Sequence, residues 1–281
     1  MIFAAKLALV GAMAASAATA YAGDAEWTQP QAPFKVYGNT YYVGTRGLSA
    51  MLITSPKGHV LIDGTLDVNA AQIESNIRAL GFRVEDIRVI LNSHAHADHA
   101  GAIAQLAHDS GAEVRASPAG ARAMRLGGND PDDPQHGDAP LFPAVKEVDE
   151  LKPNETVRVG DLALASHPTP GHTPGGTTWT WRSCEGSGCV NIVYGDSLTP
   201  FSADGYRFSA DPRRVAAYRK SLDTVASLPC DILITVHPDM VDLMDKVDAH
   251  KSLRSENACR DYATASKKKL DDRLAKERAG K

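Results

Sequence analysis

Apolar residues in this chain fall into short runs, and the runs recur in one order. "HVLIDG" (59–64) and "IRVIL" (87–91) are nearly unbroken apolar stretches of strand length. Runs of this kind suit strands buried on both faces. Between them, "DVNAAQIESNIRALGF" (67–82) sets Ile73, Ile77 and Leu80 at helical spacing. The second half repeats the order. "NIVYGD" (191–196) and "DILITV" (231–236) read as strands, and "DPRRVAAYRKSLDTVASL" (211–228) carries Val215, Tyr218, Leu222 and Val225 on one face. Asp211 is placed to cap that helix, and Pro212 suits its first turn. The echo is one of pattern, with no residue-level repeat. It predicts two α/β halves facing each other, with strand ends from both halves meeting at a shared edge. Loops held by rigid strands are where chemistry usually sits.

Each echoed unit ends on histidine. The first runs into "NSHAHADHAG" (92–101), and the second reaches His237 in "TVHPD" (235–239). Three imidazoles and a carboxylate within six residues suit a borderline divalent ion such as zinc. His94 and His96, two apart on an extended segment, point the same way, while Asp98 and His99 face a neighbouring point. This geometry invites two ions with three ligands each. "TPGHTPGG" (169–176) offers His172 in a loop shaped by Pro and Gly, and His237 completes the set. The expected groups are His94, His96 and His172 on one ion, and Asp98, His99 and His237 on the other. His59, His108, His136, His167 and His250 read as core-edge or solvated residues. Of these His136 is the one to watch, because it lies on a long loop.

Two stretches break the strand–helix order. "LGGNDPDDPQHGDAPLFP" (126–143) is dense in Gly, Pro and Asp, so it is expected to be irregular and exposed; its length also suits a substrate-facing loop. "KKKLDDRLAKERAGK" (267–281) reads as a charge-mixed helix with a solvated outer face.

The first 22 residues have one early charge, Lys6, then an uncharged Ala- and Leu-rich stretch ending Ala20-Tyr21-Ala22. This reads as a secretory leader cleaved after Ala22, leaving 23–281 as a single exported, periplasmic domain. No later segment approaches a membrane-spanning run. With 281 residues, 43% of them hydrophobic, the chain can bury a sizeable core. A net charge of −4 and the lack of a basic stripe exclude nucleic acid as the expected partner. In an oxidising compartment four cysteines suggest disulfides. Cys184 and Cys189 flank the turn-rich "EGSG" and suit a local staple, which leaves Cys230 with Cys259. Free thiols are the alternative, while a four-cysteine zinc site lacks any CxxC.

HxHxDH at 94–99, GHTPGG at 171–176, GDSLT at 195–199 and HPD at 237–239 together resemble the metallo-β-lactamase superfamily, and within it the B3 subclass of zinc β-lactamases. The resemblance spans essentially the whole mature chain. It includes "QPQAPFKVYGNTYYVG" (29–44), "VLIDG" (60–64), "SADGYRFSADP" (202–212) and the pair Cys230 and Cys259. It implies an α/β fold, the αβ/βα four-layer sandwich with two facing mixed β-sheets and outer helices. It implies two zinc ions on the ligands named above, and a β-lactam as the small-molecule partner of a monomer. The implied reaction is zinc-dependent hydrolysis of the β-lactam amide of penicillins, cephalosporins and carbapenems by a metal-bridging hydroxide. Asp98 orients that hydroxide, and the reaction would confer antibiotic resistance. Ser197 and Thr199 are implied to bind the substrate carboxylate. Gln135 and Tyr206 match positions that approach the substrate carbonyl in some relatives. Asp63 is expected to orient the metal loop from behind. The Cys184 and Cys189 pair is not general in the family, and the acidic 126–143 loop aligns only loosely.

Two other readings have to be separated from this one. The first is another hydrolase of the same fold, a glyoxalase-II-like thioesterase or a lactonase, in which an aspartate equivalent to Asp196 bridges both metals. Against it, Gly175, Gly176 and Thr177 stand where thioesterase relatives carry a further histidine. The second is an exported zinc-binding protein without turnover, which the lack of a long His-rich tract disfavours.

Overall fold

A computed structural model describes residues 25–280. The leader read at 1–22 lies outside the described residues. A seven-stranded sheet runs in the order β1 (Phe34–Tyr37), β2 (Thr40–Tyr42), β3 (Met51–Ile53), β4 (His59–Ile62), β5 (Ile87–Leu91), β6 (Glu113–Ala116), β7 (Asp149–Glu150). A five-stranded sheet is built from β8 (Thr156–Val159), β9 (Leu162–Pro168), β10 (Thr177–Glu185), β11 (Gly188–Gly195) and β12 (Ile232–Thr235), with β12 at one edge beside β11. Both sheets are mixed. Neighbours from β1 to β4 and from β8 to β11 are antiparallel, whereas β4, β5, β6 and β7 are parallel to one another and β11 to β12.

The echo in the sequence is therefore two parallel β–α–β units. The first crosses from β4 to β5 through α1 (Ala70–Ala79); the second crosses from β11 to β12 through α5 (Pro212–Ser227). Asp211 caps α5 as expected, its carboxylate accepting from the Arg213 and Arg214 amides at 3.0 and 3.1 Å.

Side-chain alternation builds the layers. Leu61 and Ile90 point to a core shared with α1, α3 (Ile103–Ser110) and α4 (Pro118–Arg125). Their neighbours Ile62 and Leu91 point the other way, into a core shared with Trp179, Ile192, Tyr194 and Ile234 of the second sheet. Val193 and Leu233 then face a third core, formed with α5 and α7 (Ala258–Arg278). Three cores separate four layers, helices–sheet–sheet–helices. This is the αβ/βα sandwich, and it explains why the central strands read as continuous apolar runs.

Both cysteine pairs are disulfides. Cys184–Cys189 closes the β10–β11 hairpin with Cα atoms 4.1 Å apart, and Cys230–Cys259 ties the start of β12 to α7 at 6.2 Å. Among the described residues no helix is long and apolar enough to cross a membrane.

The C-terminal helix has the solvated outer face expected of it, with Lys267, Lys268, Asp271 and Asp272 exposed. It also has an inner face that the charges did not announce: α7 buries Tyr262, Ser266, Leu270, Leu274 and Glu277. The first four recur every fourth residue, a stripe narrow enough to be hidden by the charges around it.

Candidate metal centre

The loop after β5 is set between the two sheets before its first histidine. Asp63, just past β4, accepts from Asn92 Nδ2 at 2.9 Å, from the Ser93 amide at 2.7 Å, from Ser93 Oγ at 2.6 Å and from the Tyr194 hydroxyl at 2.9 Å. It is fully buried, and these four donors offset only part of its desolvation, so burial still holds the carboxyl above the usual carboxylate range. From the other side, Trp179 Nε1 donates to the Asn92 carbonyl at 3.1 Å and the Thr177 amide to the Ser93 carbonyl at 2.8 Å. Asp63 thus ties the loop to β4 and β11, the role its position suggested, and Trp179 and Thr177 tie it to β10.

Five imidazoles then converge. The His94 ring centroid lies 4.8 Å from His96, 4.3 Å from His99 and 4.9 Å from His172, and His99 lies 4.9 Å from His237. Ligand-capable atoms of His94, His96 and His172 all fall within 4.8 Å of one another, as do those of His94, Asp98 and His99. Asp98, on the short helix α2 (Ala97–Ala100), presents Oδ2 at 3.1 Å from His99 Nε2 and 3.4 Å from His237 Nε2. The first expected group, His94, His96 and His172, is gathered; of the second, Asp98 and His99 close up with His94, and His237 joins them through its contact with Asp98 Oδ2.

The outward nitrogens are held from behind. His94 Nδ1 lies 2.8 Å from Asp196 Oδ1, His96 Nε2 lies 3.0 Å from Asp133 Oδ2, and His172 Nδ1 lies 2.9 Å from the Thr199 carbonyl. Each contact occupies one ring nitrogen; His94 and His96 keep the other for the centre, while His172 Nε2 also meets Gln135 Nε2 at 3.3 Å. A Cβ on Gly176 would collide with Asp196 Oδ2, so glycine is what lets this carboxylate reach His94.

The donor set fits a metal on observations of its own. His94 Nε2 and His99 Nδ1 are buried without a hydrogen-bond partner, which a protein rarely tolerates unless the atoms serve another purpose. Burial, then the charges of His99, His96 and His172, hold His94 well below the usual histidine range. Burial and His96 bring His172 down to about 3. Both are therefore neutral and offer lone pairs. Burial opposes ionisation of Asp98, but His99 and His237 outweigh it and keep the carboxyl well below its usual range. Burial likewise pulls His237 down, and its hydrogen bond to Asp98 more than restores it. Neutral imidazoles beside an ionised carboxylate are the ligands zinc takes.

A cleft of about 580 Å³ opens over these groups. His96, Asp98, His172 and His237 are in its wall, with Gln135, Ser197 and Thr199. Ser197 Oγ and Thr199 Oγ1 are 2.9 Å apart, and Gln135 Nε2 reaches to 3.3 Å from His172 Nε2. Tyr206 is not in the cleft wall. Its ring packs edge-on against Phe208 at 5.1 Å and beneath Arg214, and Arg273 donates to its carbonyl at 2.9 Å. His136 bonds Asn129 within its own loop.

The 126–143 loop is irregular, as expected, but it is not simply exposed: Asp130, Asp133 and Phe142 are buried. Sequence reasoning missed Asp133, since nothing in an acid-rich loop marks which carboxylate turns inward. It also missed Trp27, whose ring lies 5.5 Å from His237 and lines the cleft.

A four-layer sandwich that gathers histidines from both sheets into one cleft defines a metal-dependent hydrolase architecture. Residues 43–237 match the metallo-beta-lactamase superfamily, and the chain belongs to it. Its solved relatives include the Rm3 metallo-beta-lactamase, 46% identical over 90% of this chain and 97% of that one, with a TM-score of 0.88. MEM-A1, a subclass B3 metallo-beta-lactamase from a soil metagenome library, is 45% identical over 91% and 100% of the two chains, with a TM-score of 0.88. A hydroxyacylglutathione hydrolase of Anaeromyxobacter dehalogenans (strain 2CP-C) is 34% identical over 54% of this chain, a match that spans about half, 47%, of that protein.

Proposed function

We propose that this chain hydrolyses the β-lactam amide bond as a subclass B3 enzyme with two zinc ions. The observation that carries the reading is the direction of two carboxylates. Asp196 turns away from the cleft to His94 Nδ1, whereas Asp98 lines the cleft between His99 and His237. The thioesterase reading needs Asp196 to bridge two metals, and here its carboxylate is engaged behind a ligand. Similarity to MEM-A1, a subclass B3 enzyme, over nine-tenths of the chain supports the same choice.

His94, His96 and His172 would hold one zinc, and Asp98, His99 and His237 the other. When bound, zinc supplies water with a pKa of about 7 and polarises a carbonyl. Asp98, kept ionised by its two histidines, accepts a hydrogen bond from the attacking water and fixes its approach. The paired hydroxyls of Ser197 and Thr199 donate to the substrate carboxylate. Gln135 directs its amide nitrogen toward the carbonyl end. No serine nucleophile is required, and "GDSLT" is not a nucleophile elbow. Tyr206, set off the cleft, has no part in this scheme. The same reading makes 23–281 a single-domain periplasmic monomer released from its leader after Ala22, its activity conferring resistance.

The test is hydrolysis of a carbapenem, a cephalosporin, a lactone and a glutathione thioester by the purified mature chain, with and without chelator, beside zinc per chain. Chelator-sensitive β-lactam turnover with two zincs is expected. Zinc-loaded protein that cleaves the thioester or lactone but no β-lactam would overturn the proposal.

A further inference from the structure

Glu277, in the last turn of α7, is the one buried glutamate among the described residues, 4% exposed. A buried carboxylate is costly unless it is fully partnered. Besides Arg273 on its own helix, its partners lie in the segment that follows Ser197 and Thr199. Glu277 accepts from the Phe208 amide at 3.1 Å and the Ser209 amide at 2.8 Å. These amides open a turn of 3-10 helix, Phe208–Ala210, whose own cap position, Arg207, makes no side-chain cap. Glu277 therefore caps from another element a turn that cannot cap itself. Burial alone would raise its pKa, yet those amides and Arg273 keep it below the usual glutamate range.

Arg273, one turn earlier, donates from Nε to Glu277 at 2.7 Å. Its Nη2 donates to the Tyr206 carbonyl at 2.9 Å and to Ser202 Oγ at 2.8 Å. The Arg207 guanidinium returns a bond to the Glu277 carbonyl. The held segment passes the constraint on. Its Ala203 amide donates to the Pro134 carbonyl at 2.8 Å, and its Asp204 amide to Asp138 at 2.9 Å. Gln135 lies between those acceptors, and Phe201, 67% exposed, stands at the near end of the segment; both line the cleft.

We infer that Glu277 and Arg273 are positioning residues: an ion pair with a buried carboxylate and a half-buried guanidinium, at the end of the C-terminal helix, that sets the cleft wall carrying Phe201 and Gln135. Neither touches substrate or metal. They order two loops that have no sheet ladder of their own, so the cost of ordering that wall is met in folding and not again on substrate binding. Removing the pair should weaken substrate binding and leave zinc loading intact. The link to substrate rests on the proposed β-lactam reading; the link between α7 and the two loops does not.

Two readouts on the zinc-loaded full chain test it. In Glu277→Ala, amide exchange should quicken in 202–209 and 132–138 and stay unchanged in the β4–α1–β5 unit. KM for a cephalosporin should rise roughly 3- to 10-fold with kcat within about twofold, and zinc per chain should be unchanged. Arg273→Lys, which keeps a charge beside Glu277 but loses the fork to Ser202 and Tyr206, should show the same split to a smaller degree. If Glu277→Ala does not fold, Glu277→Gln takes its place with the same readouts. Lys268→Ala, which breaks an exposed ion pair with Asp272 on the same helix, should shift neither readout. Unchanged exchange in 202–209, or a Lys268→Ala variant that moves KM as far, would overturn the inference. The exchange readout needs no substrate, so it decides the positioning role even if the β-lactam reading fails.

Discussion

Asp196→Asn separates the two hydrolase readings and tests how the first metal triad is built. His94 Nδ1 and Asp196 Oδ1 are 2.8 Å apart, with side chains 1% and 0% exposed, so solvent does little to screen the bond. A hydrogen bond to a charged group is worth about 1.5–3 kcal/mol and a neutral one about 0.5–1.5 kcal/mol. Burial holds the Asp196 carboxyl well above the usual carboxylate range in the metal-free chain. Zinc on His94 would make Nδ1–H the stronger donor, so the bond gains its charge when the ion binds. Asparagine keeps the shape and an acceptor but not that charge, a loss of about 1–1.5 kcal/mol, or roughly tenfold in zinc affinity. Asp196→Ala also orphans His94 Nδ1 and should approach a roughly 100-fold loss. The assay is competition for zinc with a chromophoric chelator at fixed pH, with zinc per chain measured alongside. Affinity equal to that of the unchanged chain would refute the argument that Asp196 tunes His94. Outright loss of one zinc with the other retained would instead make Asp196 a ligand and favour the thioesterase reading.

Asp133→Asn should weaken zinc by up to about tenfold through His96. It should also raise KM, because the same carboxylate accepts from the Gln135 amide at 2.7 Å; zinc affinity and KM together check this. Metal-free protein should lose stability in acid. His172 is held down to about 3 from an ordinary 6.5, so below about pH 6.5 the unfolded chain binds a proton that the folded chain does not. His94 acts in the same direction, and His237, held above its usual value, opposes them. The urea midpoint should therefore fall between about pH 7 and pH 5, and His172→Gln should flatten that fall; an unchanged slope refutes the assignment. Of the two disulfides, Cys230–Cys259 closes a separation of 29 residues and Cys184–Cys189 one of 5. Replacing the first pair by serine should cost about 3.5 kcal/mol and the second about 2 kcal/mol, measured by denaturant unfolding.

Much of this molecule was legible before any coordinates. The central strands announce themselves as apolar runs because both of their faces are covered. The histidine loop is legible because its ligands sit two and three residues apart. Asp211 and Pro212 mark a helix start by local rules alone, and the Cys184–Cys189 staple needs only a hairpin. These features depend on neighbours in the chain, so residue order is enough to read them.

Other features depend on which distant segments meet. Asp133 and Asp196 each take one nitrogen of a histidine supplied by another element, and no spacing marks them. Tyr206 lies within a recognisable segment, yet its ring packs on Phe208 and is not in the cleft wall. Glu277 reads as one more charge on a charged helix until the 3-10 turn it caps is folded against it. The chain by itself determined which residues can carry a metal and which strands bring them to one edge. Only the tertiary structure decided which carboxylates face the metal, which hold its ligands and which fix the wall beside it, because a buried charge takes its role from the donors that folding brings to it.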